Sequence, residues 1–452
     1  MHYKYNIAMI GAGYVGLISS VCFTELGFNV VCVDKDKNKI KKLSNGNSTI
    51  HEPFLTPLLQ KNLASGQLKF SDSLSDSVSN SDIIFITVGT PLKKNNEADI
   101  SEVEKTVEEI APLLKNYKVI VIKSTVPVGT CRKLLKIIYK LNHNAQCDIV
   151  SNPEFLRAGS GIKDFMMPDR IVIGVEKNRA YSTMIQLYQS FMDKKIPLIQ
   201  TNLESAELIK YAANSYLATK IAFTNEIAYL CEKLEADVNS VLQGIGLDKR
   251  IGADYLQPGP GFGGSCLSKD ASALTHSAKT VDAPVCIIES VLESNRSHKK
   301  RIVEKIIKAC FGSVTHKRLA ILGMAFKANT DDMRESPALY ILTELKSQGA
   351  VLNIYDPVVK TISFDLDAYW GFDVYDTLDG ADAVIIMTEW DEFRQLDLKK
   401  VKASLRETTM EPTLIDLRNL YSPSEVIKAG IRYCSIGRKI QNPALLQIPQ
   451  TC

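Results

Sequence analysis

The segment Tyr5-Asn6-Ile7-Ala8-Met9-Ile10-Gly11-Ala12-Gly13-Tyr14-Val15-Gly16 decides the fold of this 452-residue chain. Its first half has the pattern of a buried strand. A helix-like stretch to Gly27 follows, and then a second strand, Asn29–Val33, that ends at Asp34. The three glycines allow a tight turn, close approach of the backbone to a pyrophosphate and close helix–strand packing. This order of elements predicts a dinucleotide-binding fold with the phosphates at residues 11–16.

Asp34 indicates which dinucleotide binds. A carboxylate at this place accepts hydrogen bonds from a ribose and repels a 2′-phosphate, so the sequence predicts NAD rather than NADP. The following lysines, Lys35, Lys37 and Lys39, could tolerate a phosphate. A solvated helix start is the alternative interpretation of Lys35 and Lys37.

Three later strands end in segments that we expect at the ligand edge of the sheet. Residues 83–88 run into Thr90, residues 119–122 run into a loop with Thr125, and residues 148–150 run into Glu154. Ligands of open α/β sheets bind beyond the carboxyl ends of the strands, so the two threonines are predicted beside the nicotinamide. Helix capping is their alternative role. Glu154, held at a strand end by Pro153, is a candidate base.

A lone thiol stands in the segment Gly261-Phe262-Gly263-Gly264-Ser265-Cys266-Leu267-Ser268-Lys269-Asp270. A thiolate attacks carbonyl carbons, and a nearby cation favours the thiolate. The surrounding glycines leave room for a substrate. The alternative is a buried cysteine that acts as a small hydrophobic residue.

A long helix is predicted from about Ser205 to Leu234, since this stretch contains neither Pro nor Gly. Lys210 and Asn214 share one face and could hold a reacting oxygen, although such a pair is more often solvated. The other faces are apolar, which predicts burial against the protein's own domains or a second copy. We therefore expect a homodimer.

A second α/β region begins with a strand at Arg318–Leu322 and lacks the G-x-G-x-x-G motif. We expect it to bind a phosphate or nucleotide moiety of the substrate through Phe326, Lys327 and Arg418. The predicted fold is α/β, with two Rossmann-like doubly wound parallel-sheet domains joined by a long central helix. The predicted domains are 1–200, which binds NAD, 201–310, which is helical, carries Cys266 and dimerises, and 311–452, which binds the nucleotide sugar.

Composition excludes several classes of protein. The net charge of +3 over this length gives no reason to expect a nucleic-acid or membrane partner. The sequence shows neither an apolar run of 18 residues nor a signal peptide, which predicts a cytoplasmic location. The ten cysteines include no C-x-x-C pair and the six histidines form no cluster, so neither a disulfide framework nor a metal site is expected.

Taken together, the motifs GAGYVG, STVPVGT, NPEFLRAG, GFGGSCLSKD and GMAFKANTDDMRESP resemble the nucleotide-sugar dehydrogenase family over nearly the whole chain. The resemblance implies oxidation of the C6 alcohol of UDP-glucose to a carboxylate with two NAD⁺ and one water. It implies Cys266 as nucleophile, Glu154 as base, Lys210 and Asn214 as oxyanion stabilisers, and Asp270 as a residue that holds a water. For NAD binding, the resemblance implies Gly11, Ala12, Gly13, Tyr14, Val15, Gly16, Asp34, Lys39, Thr90, Thr125 and Arg334. For binding of the UDP-sugar, it implies Glu154, Phe155, Leu156, Lys210, Asn214, Tyr255, Gln257, Gly261, Phe262, Gly263, Phe326, Lys327 and Arg418. It also implies that Arg250 reaches the site of a neighbouring subunit.

Two positions depart from the family pattern. Ala158 stands where a second acid is usual, and Gln257 stands where some members carry a Lys.

Other substrates and reactions also remain possible from the sequence. A related enzyme acting on GDP-mannose or a UDP-N-acetylhexosamine would keep the Cys, Lys and Asn, and a two-electron 3-hydroxy acid dehydrogenase would share the fold without needing the thiol.

Overall fold

The computed structural model describes residues 5–361, 366–407 and 411–443. The chain divides into two compact units. The first contains the residues up to 214 together with 272–284, and the second contains 215–271 together with the residues from 285 onward. The predicted three-domain division at 200 and 310 stays a prediction.

The first unit is built on an eight-stranded sheet with the order β3-β2-β1-β4-β5-β6-β7-β8. The first six strands are parallel, as predicted. β7 runs antiparallel to β6, because the chain returns after only a loop and one short helix. The strands are β1 (Asn6–Ile10), β2 (Asn29–Val33), β3 (Leu68–Ser71), β4 (Ile83–Ile86), β5 (Lys118–Ile122), β6 (Cys147–Ser151), β7 (Ile171–Val175) and β8 (Leu198–Thr201).

Helices cover both faces of this sheet, which explains why its central strands are apolar throughout. In β1, Ile7 and Met9 pack into one apolar layer, while Ala8 and Ile10 pack into the other. The helices are α1 (Tyr14–Glu25), α2 (Lys37–Ser44), α3 (Leu55–Ala64), α4 (Leu74–Ser79), α5 (Ser101–Ile110), a 3₁₀ turn (Ala111–Leu113), α6 (Thr130–Leu141), α7 (Gly161–Met166), α8 (Asn178–Leu187) and α9 (Gln189–Asp193).

Four helices follow before the second sheet. The predicted long helix is present and spans 32 residues. These helices are α10 (Leu203–Leu234), α11 (Val238–Gly246), α12 (Gly264–Thr280) and α13 (Cys286–Ala309).

The second unit carries a parallel six-stranded sheet with the order β11-β10-β9-β12-β13-β14. This order repeats that of the first six strands of the other sheet, so the prediction of two Rossmann-like sheets is confirmed. The strands are β9 (Arg318–Leu322), β10 (Val351–Tyr355), β11 (Tyr369–Trp370), β12 (Ala383–Ile386), β13 (Thr413–Asp416) and β14 (Arg432–Ser435). The helices are α14 (Pro337–Ser347), α15 (Val374–Leu378), α16 (Asp391–Arg394), α17 (Leu398–Ser404) and α18 (Pro423–Lys428).

Two features of the described residues concern membranes and metal ions. None of their helices combines the length and the apolar character that crossing a membrane requires. Nor do these residues bring together three or more His, Cys, Asp or Glu side chains that could hold a metal ion.

Candidate active site

The predicted pyrophosphate turn lies between β1 and α1. Gly11 has a φ of +103°, a conformation that favours glycine. A Cβ on Gly16 would lie 1.8 Å from the carbonyl oxygen of Gly11, so this glycine is required for close packing of helix on strand. A Cβ on Gly13 would meet nothing within 4 Å. The turn therefore leaves open space at Gly13, beside the first residue of α1.

Asp34 lies at the end of β2 and is tied to this turn. One of its carboxylate oxygens accepts a hydrogen bond from the Ala12 amide at 2.9 Å and lies 2.9 Å from the Lys39 ammonium. Burial pushes the pKa of Asp34 upward, but hydrogen bonds from the Asp36 amide, Lys39 and Ala12 outweigh it and hold the pKa below its ordinary value. The carboxylate stays charged and neutralises Lys39, which fits a ribose better than a 2′-phosphate.

The two candidate threonines lie together. The Thr90 hydroxyl donates to the carbonyl oxygen of Thr125 at 2.8 Å. Helix α6, which follows Thr125, has Gly129 as its N-cap, and α5 has Ile100. Neither threonine therefore caps the helix that follows it, and the capping alternative is wrong.

Glu154 and Lys210 form a buried ion pair at the carboxyl edge of the first sheet. The Lys210 Nζ lies 3.1 Å from Glu154 Oε1, and the two side chains are 4% and 7% exposed. Glu154 Oε2 accepts a hydrogen bond from the Leu156 amide at 2.5 Å. Asn214, one turn further along α10, is also buried. The interpretation of Lys210 and Asn214 as a solvated pair is therefore wrong.

Two cations lie close to the ring of Phe155. The Arg170 guanidinium stacks 3.5 Å from its ring centre, and the Lys210 ammonium is 5.3 Å from the same point. Burial lowers the pKa of Arg170 below its ordinary value. Phe155 and Leu156 are both partly buried. The aromatic ring thus helps to fix Lys210 through a cation–π contact.

Lys123 interacts electrostatically with Glu154 and Lys210, although it was not among the predicted site residues. Burial lowers its pKa to about 8, Glu154 acts in the opposite direction, and Lys210 lowers the value further. Its ammonium donates to Asn152 Oδ1 at 3.1 Å, and the Tyr188 hydroxyl donates to the same oxygen at 2.6 Å. A lysine directly after the apolar strand residues 119–122 was the available signal.

Cys266 lies in the first turn of α12, in the second unit. It is partly buried, unlike seven of the nine cysteines in the described residues. A helix N-terminus stabilises a thiolate. Lys269, the nearby cation of this segment, pairs with Asp270 at 2.6 Å, and Asp270 is buried. The Arg334 guanidinium also has an electrostatic interaction with Cys266: the pKa of Arg334 is raised first by Asp332 and, to a smaller extent, by this thiol.

The glycines before Cys266 serve close packing inside the second unit. A Cβ on Gly263 would lie 2.3 Å from the Glu335 carbonyl oxygen, and one on Gly264 would lie 2.8 Å from the Phe326 ring. The Gly264 amide also donates to the carbonyl oxygen of Arg334 at 2.9 Å. These contacts bring Phe326 and Arg334, two predicted site residues, to the start of the thiol-bearing helix.

Three buried side chains hold residues 259–262, just before Cys266, and none of them was predicted. Asn295 Oδ1 accepts from the Phe262 amide at 3.0 Å, and its Nδ2 donates to the Phe262 carbonyl at 3.1 Å. Asn225 Oδ1 accepts from the Gly259 amide at 3.0 Å, and His298 Nε2 lies 2.7 Å from the Gly259 carbonyl. Burial lowers the pKa of His298 to about 4. His298 is therefore neutral at pH 7 and donates through Nε2.

The remaining predicted substrate residues of the second unit differ in their surroundings. Arg418 donates to the carbonyl oxygens of Met387 and Phe326, both at 2.9 Å, and an ideal Cβ on Gly259 would lie 3.1 Å from its guanidinium. Phe326, Lys327 and Arg418 thus lie close together. Arg250, by contrast, is exposed and pairs with Asp248 at 2.6 Å. The others are Tyr255, which is partly buried and has a φ of +64°, Gln257, which is exposed, and Gly261, a Cβ on which would lie 3.0 Å from Asn295 Oδ1.

Comparison with known proteins finds relatives that match this chain over nearly its whole length. The chain is 47% identical to UDP-glucose 6-dehydrogenase of Rhizobium meliloti (strain 1021), over 96% of this chain and 99% of that one. It is 46% identical to UDP-glucose 6-dehydrogenase TuaD of Bacillus subtilis (strain 168), over 96% and 93%. The structure of a UDP-glucose dehydrogenase from the archaeon Pyrobaculum islandicum superposes with a TM-score of 0.88 at 31% identity, covering 97% of this chain and 98% of that one.

Three domains of one protein family match successive parts of the chain. The NAD-binding domain of the UDP-glucose/GDP-mannose dehydrogenase family matches residues 5–192, its central domain matches 204–297 and its UDP-binding domain matches 320–423. The open turn at Gly13 and the charged Asp34 lie in the first of these regions, and Cys266 lies in the second. The chain belongs to the UDP-glucose/GDP-mannose dehydrogenase family.

Proposed function

We propose that this protein oxidises the C6 alcohol of UDP-glucose to the carboxylate of UDP-glucuronate, consuming two NAD⁺ and one water. The observation that carries the four-electron chemistry is the partly buried Cys266 thiol in the first turn of α12. UDP-glucose is favoured over the substrates of related enzymes by the 47% identity to the Rhizobium meliloti protein across nearly the full length of both chains.

The residues that we propose to hold the cofactor lie in the first unit. Gly11 to Gly16 would hold the pyrophosphate, Asp34 and Lys39 the ribose, and Thr90 and Thr125 the nicotinamide side. When bound there, NAD⁺ would supply the acceptor for the hydride that leaves C6. Lys210 and Asn214 stabilise the negative charge that develops on the C6 oxygen, because their buried donors need no reorganisation as that charge forms.

Cys266 keeps the four-electron reaction on the enzyme. Its thiolate adds to the C6 aldehyde to give a thiohemiacetal, and transfer of a second hydride from C6 to the second NAD⁺, with loss of the hydroxyl proton, would turn this adduct into a thioester. Glu154 then takes a proton from water, which attacks the thioester carbonyl and releases the carboxylate and the thiolate. Asp270 holds a water beside the thiol. The proposed UDP-sugar contacts are Arg250, Tyr255, Gln257, Gly261, Phe262, Gly263, Phe326, Lys327 and Arg418, together with Phe155 and Leu156.

The ratio of NADH formed to UDP-glucose consumed tests the proposal. We expect two NADH for each UDP-glucose and no free aldehyde. A ratio of one would assign the protein to the two-electron dehydrogenases. A panel with GDP-mannose and UDP-N-acetylhexosamines tests the sugar, and turnover of an N-acetylated sugar without turnover of UDP-glucose would contradict the choice of substrate.

Two variants separate the chemical steps. Cys266→Ser replaces a thiolate leaving group by a poorer alkoxide, so it should release little UDP-glucuronate. Glu154→Gln should accumulate the thioester, seen as a burst of NADH followed by slow turnover. A normal steady-state kcat for the first variant would contradict the covalent scheme, and a linear trace for the second would contradict the role of Glu154.

The proposed assembly is a homodimer formed through α10. From residue 216 onward, exposed apolar side chains recur at intervals of seven and four, which places Tyr216, Phe223, Leu230 and Leu234 in one stripe of the helix. Such a stripe on a single helix is typical of an interface. Sedimentation velocity should show a dimer, and Phe223→Glu should yield monomers. A wild-type monomer at micromolar concentration would contradict the assignment. The cytoplasmic location stays a prediction.

A further inference from the structure

Glu52 lies between α2 and α3, outside all motifs that carry the family resemblance, yet its carboxylate is buried and both of its oxygens are used. It is 7% exposed. Oε1 accepts a hydrogen bond from the Gly161 amide at 2.7 Å. Oε2 accepts from the Gly159 amide and from the Tyr14 hydroxyl, both also at 2.7 Å. A buried carboxylate is retained only where its hydrogen bonds offset the cost of desolvation.

The three donors belong to two segments of the proposed active site. Gly159 and Gly161 end the loop that carries Glu154. Tyr14 is the first residue of α1, next to the open turn at Gly13. Burial and then Glu52 raise the pKa of Tyr14, so its hydroxyl stays protonated and remains a donor. Glu52 therefore joins the cofactor-binding turn to the far end of the Glu154 loop.

The near end of that loop is fixed by other means. The Asn152 amide donates to the carbonyl oxygen of Ile122 at 2.9 Å, and its Nδ2 donates to that of Val172 at 2.8 Å. At the far end, Arg157 is held by Asp164, but Ala158 offers no side-chain hydrogen bond. An ideal Cβ on Gly161 would lie 2.4 Å from the Tyr14 hydroxyl, which shows how closely the two segments approach beside Glu52.

We propose that Glu52 is a positioning residue for the hydrolytic half of the reaction: it fixes the Glu154 loop against the cofactor-binding turn, so that Glu154 directs water onto the thioester. This inference rests on the proposed function. It concerns the second half of the cycle, since the first hydride transfer and thiohemiacetal formation do not use Glu154 in this scheme.

Glu52→Gln is the sharpest substitution, because it keeps the size of the side chain. The structure presents three donors to this group, while an amide offers one acceptor oxygen and turns an NH₂ toward the remaining donors. We expect kcat to fall about 10–100-fold, the effect of misplacing a catalytic group by about 1 Å. The NADH burst should persist, and KM for UDP-glucose should stay within about threefold of the wild-type value.

Two further variants keep the test informative if Glu52→Gln does not fold. Tyr14→Phe removes one of the three hydrogen bonds to Glu52, together with the contact of the Tyr14 hydroxyl with the carbonyl oxygen of Arg157 at 3.1 Å. Tyr117→Phe is its matched control, because the Tyr117 hydroxyl also donates to a carboxylate, Asp148, at 2.7 Å in the same unit. Gly161→Ala drives the Tyr14 hydroxyl off its position while improving the helix propensity of α7. We expect slow turnover with a retained burst for Tyr14→Phe and Gly161→Ala, and wild-type kinetics for Tyr117→Phe.

The decisive experiment combines stopped-flow NADH traces with hydrogen exchange at the Gly159 and Gly161 amides. In Glu52→Gln these amides should exchange about 10–100-fold faster, as expected when a charge-assisted hydrogen bond is lost. The inference would be overturned if the folded Glu52→Gln variant showed unchanged amide exchange or a wild-type kcat. It would also be overturned if the NADH burst fell in proportion to the steady-state rate. If the wild-type enzyme itself formed only one NADH per substrate, the proposed function would fail, whereas the exchange data would still decide whether Glu52 holds the loop.

Discussion

The pair Gly13→Ala and Gly16→Ala tests whether the turn after β1 binds the cofactor. The two substitutions are chemically identical and three residues apart, but the structure predicts opposite outcomes. At Gly16 the new Cβ would lie 1.8 Å from the Gly11 carbonyl oxygen and 2.6 Å from Thr87 Oγ1. At Gly13 it would meet nothing within 4 Å, and the backbone there (φ −79°, ψ −168°) suits any residue.

The expected magnitudes follow from these contacts. Gly16→Ala overpacks a backbone contact, which costs about 1–3 kcal/mol or more and should lower the Tm of the apo protein by about 3–10 °C. Gly13→Ala should leave the apo Tm unchanged or slightly raised, since alanine at a compatible position stabilises by about 0.4–1 kcal/mol. Its methyl group would instead occupy the space proposed for the pyrophosphate.

Thermal denaturation with and without NAD⁺ separates the two effects. At 100 times Kd, NAD⁺ should stabilise the wild-type protein by about 2.7 kcal/mol, or about 5–10 °C. Gly13→Ala should keep its apo Tm and lose most of this shift. If Gly13→Ala kept the full shift with NAD⁺, the placement of the pyrophosphate at this turn would be wrong.

Three other predictions concern buried polar groups. Burial lowers the pKa of Lys123 from 10.5 to about 8, so between these pH values the unfolded chain binds more protons than the folded chain. In urea titrations from pH 8 to pH 10.5, the free energy of unfolding of the wild-type protein should therefore rise by about 3 kcal/mol relative to that of Lys123→Met. Parallel pH profiles of the two proteins would contradict this prediction. Burial lowers the pKa of His298 from 6.5 to about 4, so the unfolded chain takes up a proton in this range while the folded chain does not. The free energy of unfolding should therefore fall by about 3 kcal/mol as the pH is lowered from 6.5 to 4. His298→Gln, which can still donate to Gly259 but does not titrate, should flatten that acid limb, and an equally steep limb would refute the assignment. Asn295→Ala leaves the amide and carbonyl of Phe262 without these partners, so guanidinium unfolding should show a loss of about 2–4 kcal/mol, and a loss below about 0.5 kcal/mol would contradict the role of this clamp.

Much of the fold could be predicted because local signals and the global fold agree. Apolar runs such as Ile83–Ile86 and Arg318–Leu322 are buried strands of parallel sheets, and a stretch without Pro or Gly became α10. The reversed direction of β7 could not be predicted. Residues 171–175 are apolar in either orientation, and direction depends on how the preceding loop returns the chain.

The candidate site was predictable where a motif fixes the chemistry, and less so where burial decides it. Glu154 and Lys210 were both selected, but their contact at 3.1 Å joins a loop and a helix more than 50 residues apart, a pairing that no local pattern contains. Glu52, Lys123 and Asn295 were missed for a related reason. Each is a polar residue whose importance depends on being buried against backbone or charge from distant segments, and sequence alone gives such residues the character of surface positions.

Covalent chemistry at Cys266 is the central claim, and peptide mass spectrometry of an acid-quenched reaction tests it most directly. Glu154→Gln, mixed with UDP-glucose and excess NAD⁺, should carry a UDP-glucuronyl thioester on the peptide that contains Cys266, at close to one adduct per chain, and hydroxylamine should remove it. An unmodified Cys266 in a sample that has already released NADH, or an adduct on another residue, would contradict the account.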